Sequence, residues 1–352
     1  MKSLIKCFML CNLILFNLCQ TTKCMLIASG SNDKTIKIWD GKTGSCKKTL
    51  KKNQHTRDIT SICLSPCGQK VVSGSLDKTI KIWDIKTARC ENTLKGHIGG
   101  VISVCFSPCG KSIASSSYDK TIKIWDAKNS PKFDKQCKNT LRTECNANSI
   151  RSVSFSPCSK KIASAGCDRT VRIWDVETGR CEKTMEGHYC LIYSVHFSPC
   201  GKKVVSGDYN GKVKIWNIES KECEKTFDEK STIYSVCFSP CGKKVASGYH
   251  NGNIKIWDIE TGVCEQTLEE HTSQVPSLCF SKNGKKVIYG SLDNTIKIWD
   301  IKTGSCQTLE GHDNSVVSVS VVTPIDQIKG VRLKFMSRFL TRGQFMYGLL
   351  GK

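Results

Sequence analysis

The eight residues Asp33–Asp40, "DKTIKIWD", return letter for letter at 77–84 and 119–126. Near copies stand at 168–175 ("DRTVRIWD"), 210–217 ("NGKVKIWN"), 251–258 ("NGNIKIWD") and 293–300 ("DNTIKIWD"). They use all seven tryptophans, Trp39, Trp83, Trp125, Trp174, Trp216, Trp257 and Trp299, spaced 44, 42, 49, 42, 41 and 42 residues apart. A period of that size belongs to repeat architectures, whose units cannot bury their apolar faces alone. Any fold of this chain must stack seven copies of one small unit.

The grammar of the unit tells which kind of stack. In 97–141, "VISVCF" is a short β-rich run and "SPCG" has type I turn composition. "KSIASSS" is a second strand, "YDKT" a tight turn, "TIKIWD" a third strand and "CKNTL" a fourth. Two units put Asn210-Gly211 or Asn251-Gly252 in the second turn, a strong hairpin signal. Nothing in the unit reads as a helix. Ile122 and Ile124 fall on one face of their strand and Trp125 on the other. Both faces need cover, and twisted sheets stacked face to face close into a ring.

This pattern resembles the WD-repeat (WD40, beta-transducin-like) β-propeller family over roughly residues 25–322. The expected fold is all-β, a seven-bladed β-propeller of four-stranded antiparallel blades. The resemblance also implies a hydrogen-bonded set in each blade: a His before the first strand, a second-strand Ser, the turn Asp and the Trp. Carried across, blade one has Ser29, Asp33 and Trp39, with His312 arriving from the far end. Blade two has His55, Ser73, Asp77 and Trp83; blade three has His97, Ser115, Asp119 and Trp125. Blade four lacks the His and keeps Ser164, Asp168 and Trp174. Blade five keeps His188, Ser206 and Trp216, with Asn210 for Asp. Blade six keeps Trp257 but lacks the His and has Asn251 for Asp; blade seven keeps His271, Asp293 and Trp299, with Tyr289 at the serine position. Blades four and six are therefore expected to be the least rigid.

Blade one starts in mid-unit, at "CMLIASGS", whereas 311–322 is a first strand without its other three. Each fragment completes the other, so 316–322 is expected to pair beside 25–31 and close the first blade. The rival donor is 15–20. An open end would leave unpaired edges.

The ends leave the pattern. Residues 1–20 hold two lysines before an apolar run, Cys7–Cys19, too short to span a bilayer. A secretory signal, a decayed strand and a mis-assigned gene start all fit it. Residues 323–352 form a basic C-terminal tail. Disorder, a mistranslated gene end, or contact with an anionic membrane or acidic partner are its readings, membrane contact being the weaker one.

Most of the 23 cysteines recur with the repeat, as copied turn or packing residues. Reduced thiols, and so a cytoplasmic or nuclear location, are the expectation, with a secretory route the alternative if 1–20 act as a signal. The C-x₃-C pairs (Cys63/Cys67, Cys105/Cys109, Cys237/Cys241) lie on extended chain. Four residues there cover about 13 Å, too far to share one zinc easily. Gly110-Lys111-Ser112 lacks the rest of a phosphate loop. No nucleophile–base set has motif support. The chain reads as a non-enzyme with no metal, cofactor or small-molecule substrate.

Fold does not fix function. Geometry nominates the rim that carries the second-to-third-strand turns and the loops before each first strand, because the copies differ there. Leu76, Tyr118, Cys167, Tyr209, His250 and Leu292 precede the turn Asp/Asn, and the loops add Arg57, Ile98, Tyr189 and Leu191. These are the candidate partner-binding residues for a protein or peptide within a larger assembly. The net charge of +22 adds a second reading. Lys34, Lys78, Lys120 and Arg169 on that rim, and Lys37, Lys81, Lys123, Arg172, Lys214, Lys255 and Lys297 on the third strands, could grip an acidic protein tail or RNA. That would suit a basic nucleic-acid-associated module in RNA processing or chromatin. A sensor fragment of a longer WD-repeat array protein is a weaker reading, suggested by the likeness of the copies.

Overall fold

The computed structural model describes residues 25–127, 137–142 and 149–323. Residues 1–20 and all but the first residue of the 323–352 tail lie outside them. Seven four-stranded antiparallel sheets make up the described chain, and no helix interrupts them. Blade three shows the unit: Val101–Phe106, Ser112–Ser117, Thr121–Asp126 and Cys137–Arg142, paired in chain order. The turn chemistry matches the sequence. Gly110 N–H donates to Ser107 O across the "SPCG" turn at 2.7 Å. The second turn needs φ > 0 at its third residue, which Lys78 and Lys120 adopt at 70° and 67° and Gly211 and Gly252 adopt without strain.

Closure follows the expected route. Val316–Val322 pairs antiparallel with Leu26–Ser31, in a register that sets Leu26 opposite Val322 and Ser29 opposite Val319. Blade one is thus built from both ends of the described chain. The rival donor, 15–20, lies outside the described residues.

Burial explains why the blades stack. Seven apolar clusters fill the seven gaps between neighbours. In one, Val72, Ile80 and Leu94 of blade two meet Val101, Val104 and Trp125 of blade three. In the next, Ile122 and Ile124 of blade three meet Ile150, Val153 and Trp174 of blade four. The two faces of one strand serve two different interfaces. The last gap sets Ile296 and Ile298 of blade seven against Val316, Val319, Ile27 and Trp39, so the ring is continuous. Each tryptophan removes roughly 150–250 Å² from water, an upper bound near 4–6 kcal/mol.

The first strands line the central channel, and each is the inner edge of its sheet. A ring of serines satisfies those edges. Val104 N–H donates to Ser61 Oγ of the blade before, and Val153 to Ser103, Val195 to Ser152, Val236 to Ser194 and Leu278 to Ser235 repeat it at 3.1–3.4 Å. Val319 to Ser277 and Ile62 to Ser318, both 3.0 Å, carry the ring through the closure. The serine that recurs in every first strand is therefore a coupling between blades.

Candidate interaction rim

The turn-bearing rim is held by the hydrogen-bonded sets. In blade three the Trp125 indole N–H donates to Ser115 Oγ at 2.8 Å, Ser115 Oγ lies 2.8 Å from His97 Nε2, and His97 Nδ1 lies 2.8 Å from Asp119. A tryptophan can only donate and a carboxylate only accept. With a neutral imidazole the relay runs Trp→Ser→His→Asp. The other oxygen of Asp119 accepts from Thr121 N and Oγ1, so one carboxylate fixes both the loop and the turn. Blade two repeats this with His55, Ser73, Asp77 and Trp83. Blade one does so with His312, Ser29, Asp33 and Trp39 across the closure. Burial alone would raise the carboxyls of Asp33, Asp77 and Asp119. The bonds from His and Thr outweigh it and hold all three far below the usual carboxylate range. Glycine precedes histidine in blade three because a Cβ on Gly96 would stand 3.3 Å from the Trp125 ring and its φ is 148°.

The remaining blades depart from the pattern in ways that alignment by position does not reveal. In blade five the acid is Asp208, two residues before Asn210. It lies 2.7 Å from His188 Nδ1, and Ser206 still joins His188 to Trp216. Blade six fills the vacant histidine space with Tyr249, buried, whose Oη accepts from Ser247 Oγ at 2.9 Å, while Trp257 donates to Ser247. In blade four Trp174 donates to Ser164, and Asp168 takes bonds from Thr170 and Arg172. Blade seven is the broken one. His271 and Asp293 lie 2.6 Å apart, but Tyr289 gives no shared hydroxyl, and His271 Nε2, Tyr289 Oη and Trp299 Nε1 are buried without partners. His271 and Trp299 therefore do not join the set proposed for them. Tyr249 takes up the vacancy of blade six, the stretch of blade four that would carry the histidine lies outside the described residues, and the set whose own atoms go unsatisfied is that of blade seven.

In every blade but the third, whose third-to-fourth-strand turn lies outside the described residues, the residue after the Trp has a separate task on the opposite side. Asp40 accepts from Lys42 and Thr43 N–H in the third-to-fourth-strand turn, and Asn217 does the same for Glu219 and Ser220 in blade five. Such Asx-type turns need only a short acceptor side chain.

Of the candidate rim residues, Arg57, Ile98, Tyr118, Tyr189, Tyr209 and His250 are exposed, and Leu76, Cys167, Leu191 and Leu292 are half-buried. Leu76 and Tyr118 come together over Gly100, where a Cβ would meet them at 3.1 and 3.4 Å. The turn-based reading missed Arg151, Tyr193 and Tyr234. They are the second residues of their first strands, and each is the extra residue of a β-bulge. In blade four Ile150 opposes Gly166 and Ser152 opposes Ala165, so Arg151 has no opposite number. Tyr193 and Tyr234 repeat this in blades five and six. Bulges re-aim side chains, and here they bring the three to a common cluster. Arg151 Cζ lies 5.9 Å from the Tyr118 ring centre and 5.3 Å from that of Tyr193. Tyr193 stacks obliquely on Tyr234 at 4.9 Å, and Tyr234 faces His250 at 6.1 Å. A sequence signal existed: the second position reads Thr60, Ile102, Arg151, Tyr193, Tyr234 between neighbours that hardly change.

Many of the lysines are already engaged. Lys37, Lys81, Lys123 and Lys214 each donate to a threonine of the fourth strand, at 3.1–3.3 Å. Lys255 pairs with Glu229 and Lys297 with Glu270. Every described cysteine is a free thiol, and the described residues contain no cluster of metal-ligating side chains. Burial pushes the Cys279 thiol up to about 12 and lowers His196, on the channel wall, to about 4.

Seven four-stranded sheets of like topology around a channel define a β-propeller. Residues 17–40, 44–84 and 88–126 match the family described as "WD domain, G-beta repeat", and residues 133–329 match "IFT122 first beta-propeller". The chain belongs to the WD-repeat β-propeller family. No curated protein matches it. Propellers of this family are in general non-catalytic platforms for protein–protein interaction.

Proposed function

We propose that this propeller is a non-catalytic scaffold that holds a protein or peptide partner on its turn-bearing rim, inside a multiprotein complex. One observation carries the reading. Among the described residues five large hydrophobics are strongly exposed, and four of them, Ile98, Tyr118, Tyr189 and Tyr209, stand on that rim. Aromatic side chains held on rigid turns are suited to anchor a partner, because little entropy is lost when they are covered. Likeness to a propeller described as the first of its protein supports a place in a larger assembly. Free thiols throughout the described chain favour a cytoplasmic or nuclear location. The test is affinity purification with a triple variant, Tyr118→Ala, Tyr209→Ala and His250→Ala. Loss of co-purifying proteins with unchanged melting supports the rim; an unchanged partner list sinks it.

The nucleic-acid reading draws less support, since Lys255 and Lys297 are paired with glutamates and Lys37, Lys81, Lys123 and Lys214 are tethered along their own blades by bonds to threonines. RNA affinity that falls steeply with salt would restore it.

A further inference from the structure

The cluster around Arg151 is the most specific chemistry on the rim. The guanidinium is half-buried and lies between two tyrosine rings, within the cation–π range of about 6 Å. Its Nε is sealed from solvent without an acceptor. Among the described residues no carboxylate pairs with it, although the other clustered rim acids, Asp33, Asp77 and Asp119, are consumed by histidines. Cys167 and the Tyr118 and Tyr193 hydroxyls are the titratable groups beside it. A planar fork of donors is thus presented on the rim with its aromatic walls built, the Cys167 thiol as a weak partner and no carboxylate opposite it.

We propose that Arg151, walled by Tyr118, Tyr193 and Tyr234, is the subsite that receives a carboxylate side chain of the partner, an Asp or Glu in an acidic peptide segment. The proposal rests on the rim reading and names what the rim recognises. A carboxylate is planar, carries one charge and accepts two parallel N–H bonds from a guanidinium. A phosphate carries nearly two charges and is usually met by several cations. Arg151 is the cation that packs on these rings, while Lys120 and Arg169 stand on the adjoining turns. The tyrosine faces exclude water from the pair, which strengthens it, and Tyr209 and His250 extend the apolar wall for the residues on either side of the acid.

The experiment uses the full chain and a synthetic array of 15-residue peptides of random sequence. The central residue is fixed as Glu, Gln or phosphoserine. Wild type should hold the Glu series roughly 10- to 100-fold more tightly than the isosteric Gln series, the value of a charge-assisted bond. Arg151→Gln should abolish that preference, and Arg151→Lys, which keeps the charge and loses the fork, should retain only part of it. The lysine variant decides the matter if the glutamine variant fails to fold. Equal binding of Glu and Gln peptides, or a preference that survives Arg151→Gln, overturns the proposal. So does phosphoserine outranking Glu by tenfold. If the partners captured by the rim are lost in the Tyr118/Tyr209/His250 variant but kept in Arg151→Gln, the rim reading stands and the arginine subsite falls.

Discussion

Blade three and blade seven share the same meander and differ by two small edits. In blade three Ser115 Oγ is the single atom that accepts from Trp125 and meets His97. Blade seven has Tyr289 there; His271 Nε2 and Trp299 Nε1 lose their shared partner and the Tyr289 hydroxyl is itself buried without one. The rings of His271 and Tyr289 instead meet edge-on, with centres 5.1 Å apart and planes at 86°. The second edit is one residue. In blades one to six the fourth strand bulges opposite the tryptophan, as where Ile256 pairs with Gln266 but Trp257 with Cys264. "CQTL" of blade seven is one residue shorter than "CEQTL" of blade six, and its register runs through without a bulge. The skipped residue in blades two, four and five, Glu91, Glu182 or Glu224, is the one that reaches back to Lys70, Lys161 or Lys203. The lesson is that the sets act as units, so that losing one hydroxyl costs several bonds, while the apolar packing carries the blade regardless.

Converting blade three into the likeness of blade seven should have the largest effect. Ser115→Ala strands Trp125 Nε1 and His97 Nε2, and we expect a loss of roughly 2–5 kcal/mol in urea unfolding, from two buried groups left unsatisfied. The reverse change separates packing from bonding. Tyr289→Ala and Tyr289→Ser both open a cavity in blade seven, but only serine offers an acceptor to Trp299 and a donor to His271. The serine variant should be the more stable of the two by about 1–3 kcal/mol. Equal melting temperatures would show that the shared hydroxyl contributes nothing.

Acid should part the blades next. Burial lowers the His271 pKa below its ordinary 6.5, against the pull of Asp293 and with Lys297 nearby. A group depressed in the folded state binds its proton more readily once unfolded, so its contribution is lost as pH falls below 6.5. The depressed carboxyls of Asp77 and Asp119 lose theirs only as pH falls below 3.8. We expect wild-type stability to begin declining below pH 6.5, through the depressed His271 and His196 together, and His271→Asn to shrink that early part while leaving the share of His196 and the lower, carboxyl part, read as melting temperature against pH. The smallest effect belongs to the bulge. Inserting a glutamate between Cys306 and Gln307 should restore it and add an exposed pair with Lys286, worth about 0.2–1 kcal/mol.

The comparison also separates what could be read from what could not. Blade number, strand order and closure by 316–322 were legible, because period, turn residues and the two half-units at the ends are all local text. The sets of blades one to three were legible through the resemblance to the WD-repeat family, whose pattern these blades match residue by residue. Asp208 was missed because it stands where blades one, two, three and seven have serine, and reaches His188 in space but not in alignment. Tyr249 was missed because a ring can occupy the volume of an absent histidine, a substitution of shape with no counterpart in spacing. Blade seven looked nearly complete by residue identity, and only the geometry of Tyr289 exposed the three orphaned atoms.

From its letters this protein had already settled the repeat, the hairpins and the need for a closed ring, since each follows from alternation within a few residues and from apolar faces that must be covered. Tertiary structure decided which side chains become neighbours across blades. Arg151, Tyr193 and Tyr234 are about one period apart in the chain, yet ring closure sets equivalent positions side by side and the bulges turn them to one rim. Contacts of that kind depend on the curvature of the whole ring, which no single repeat contains.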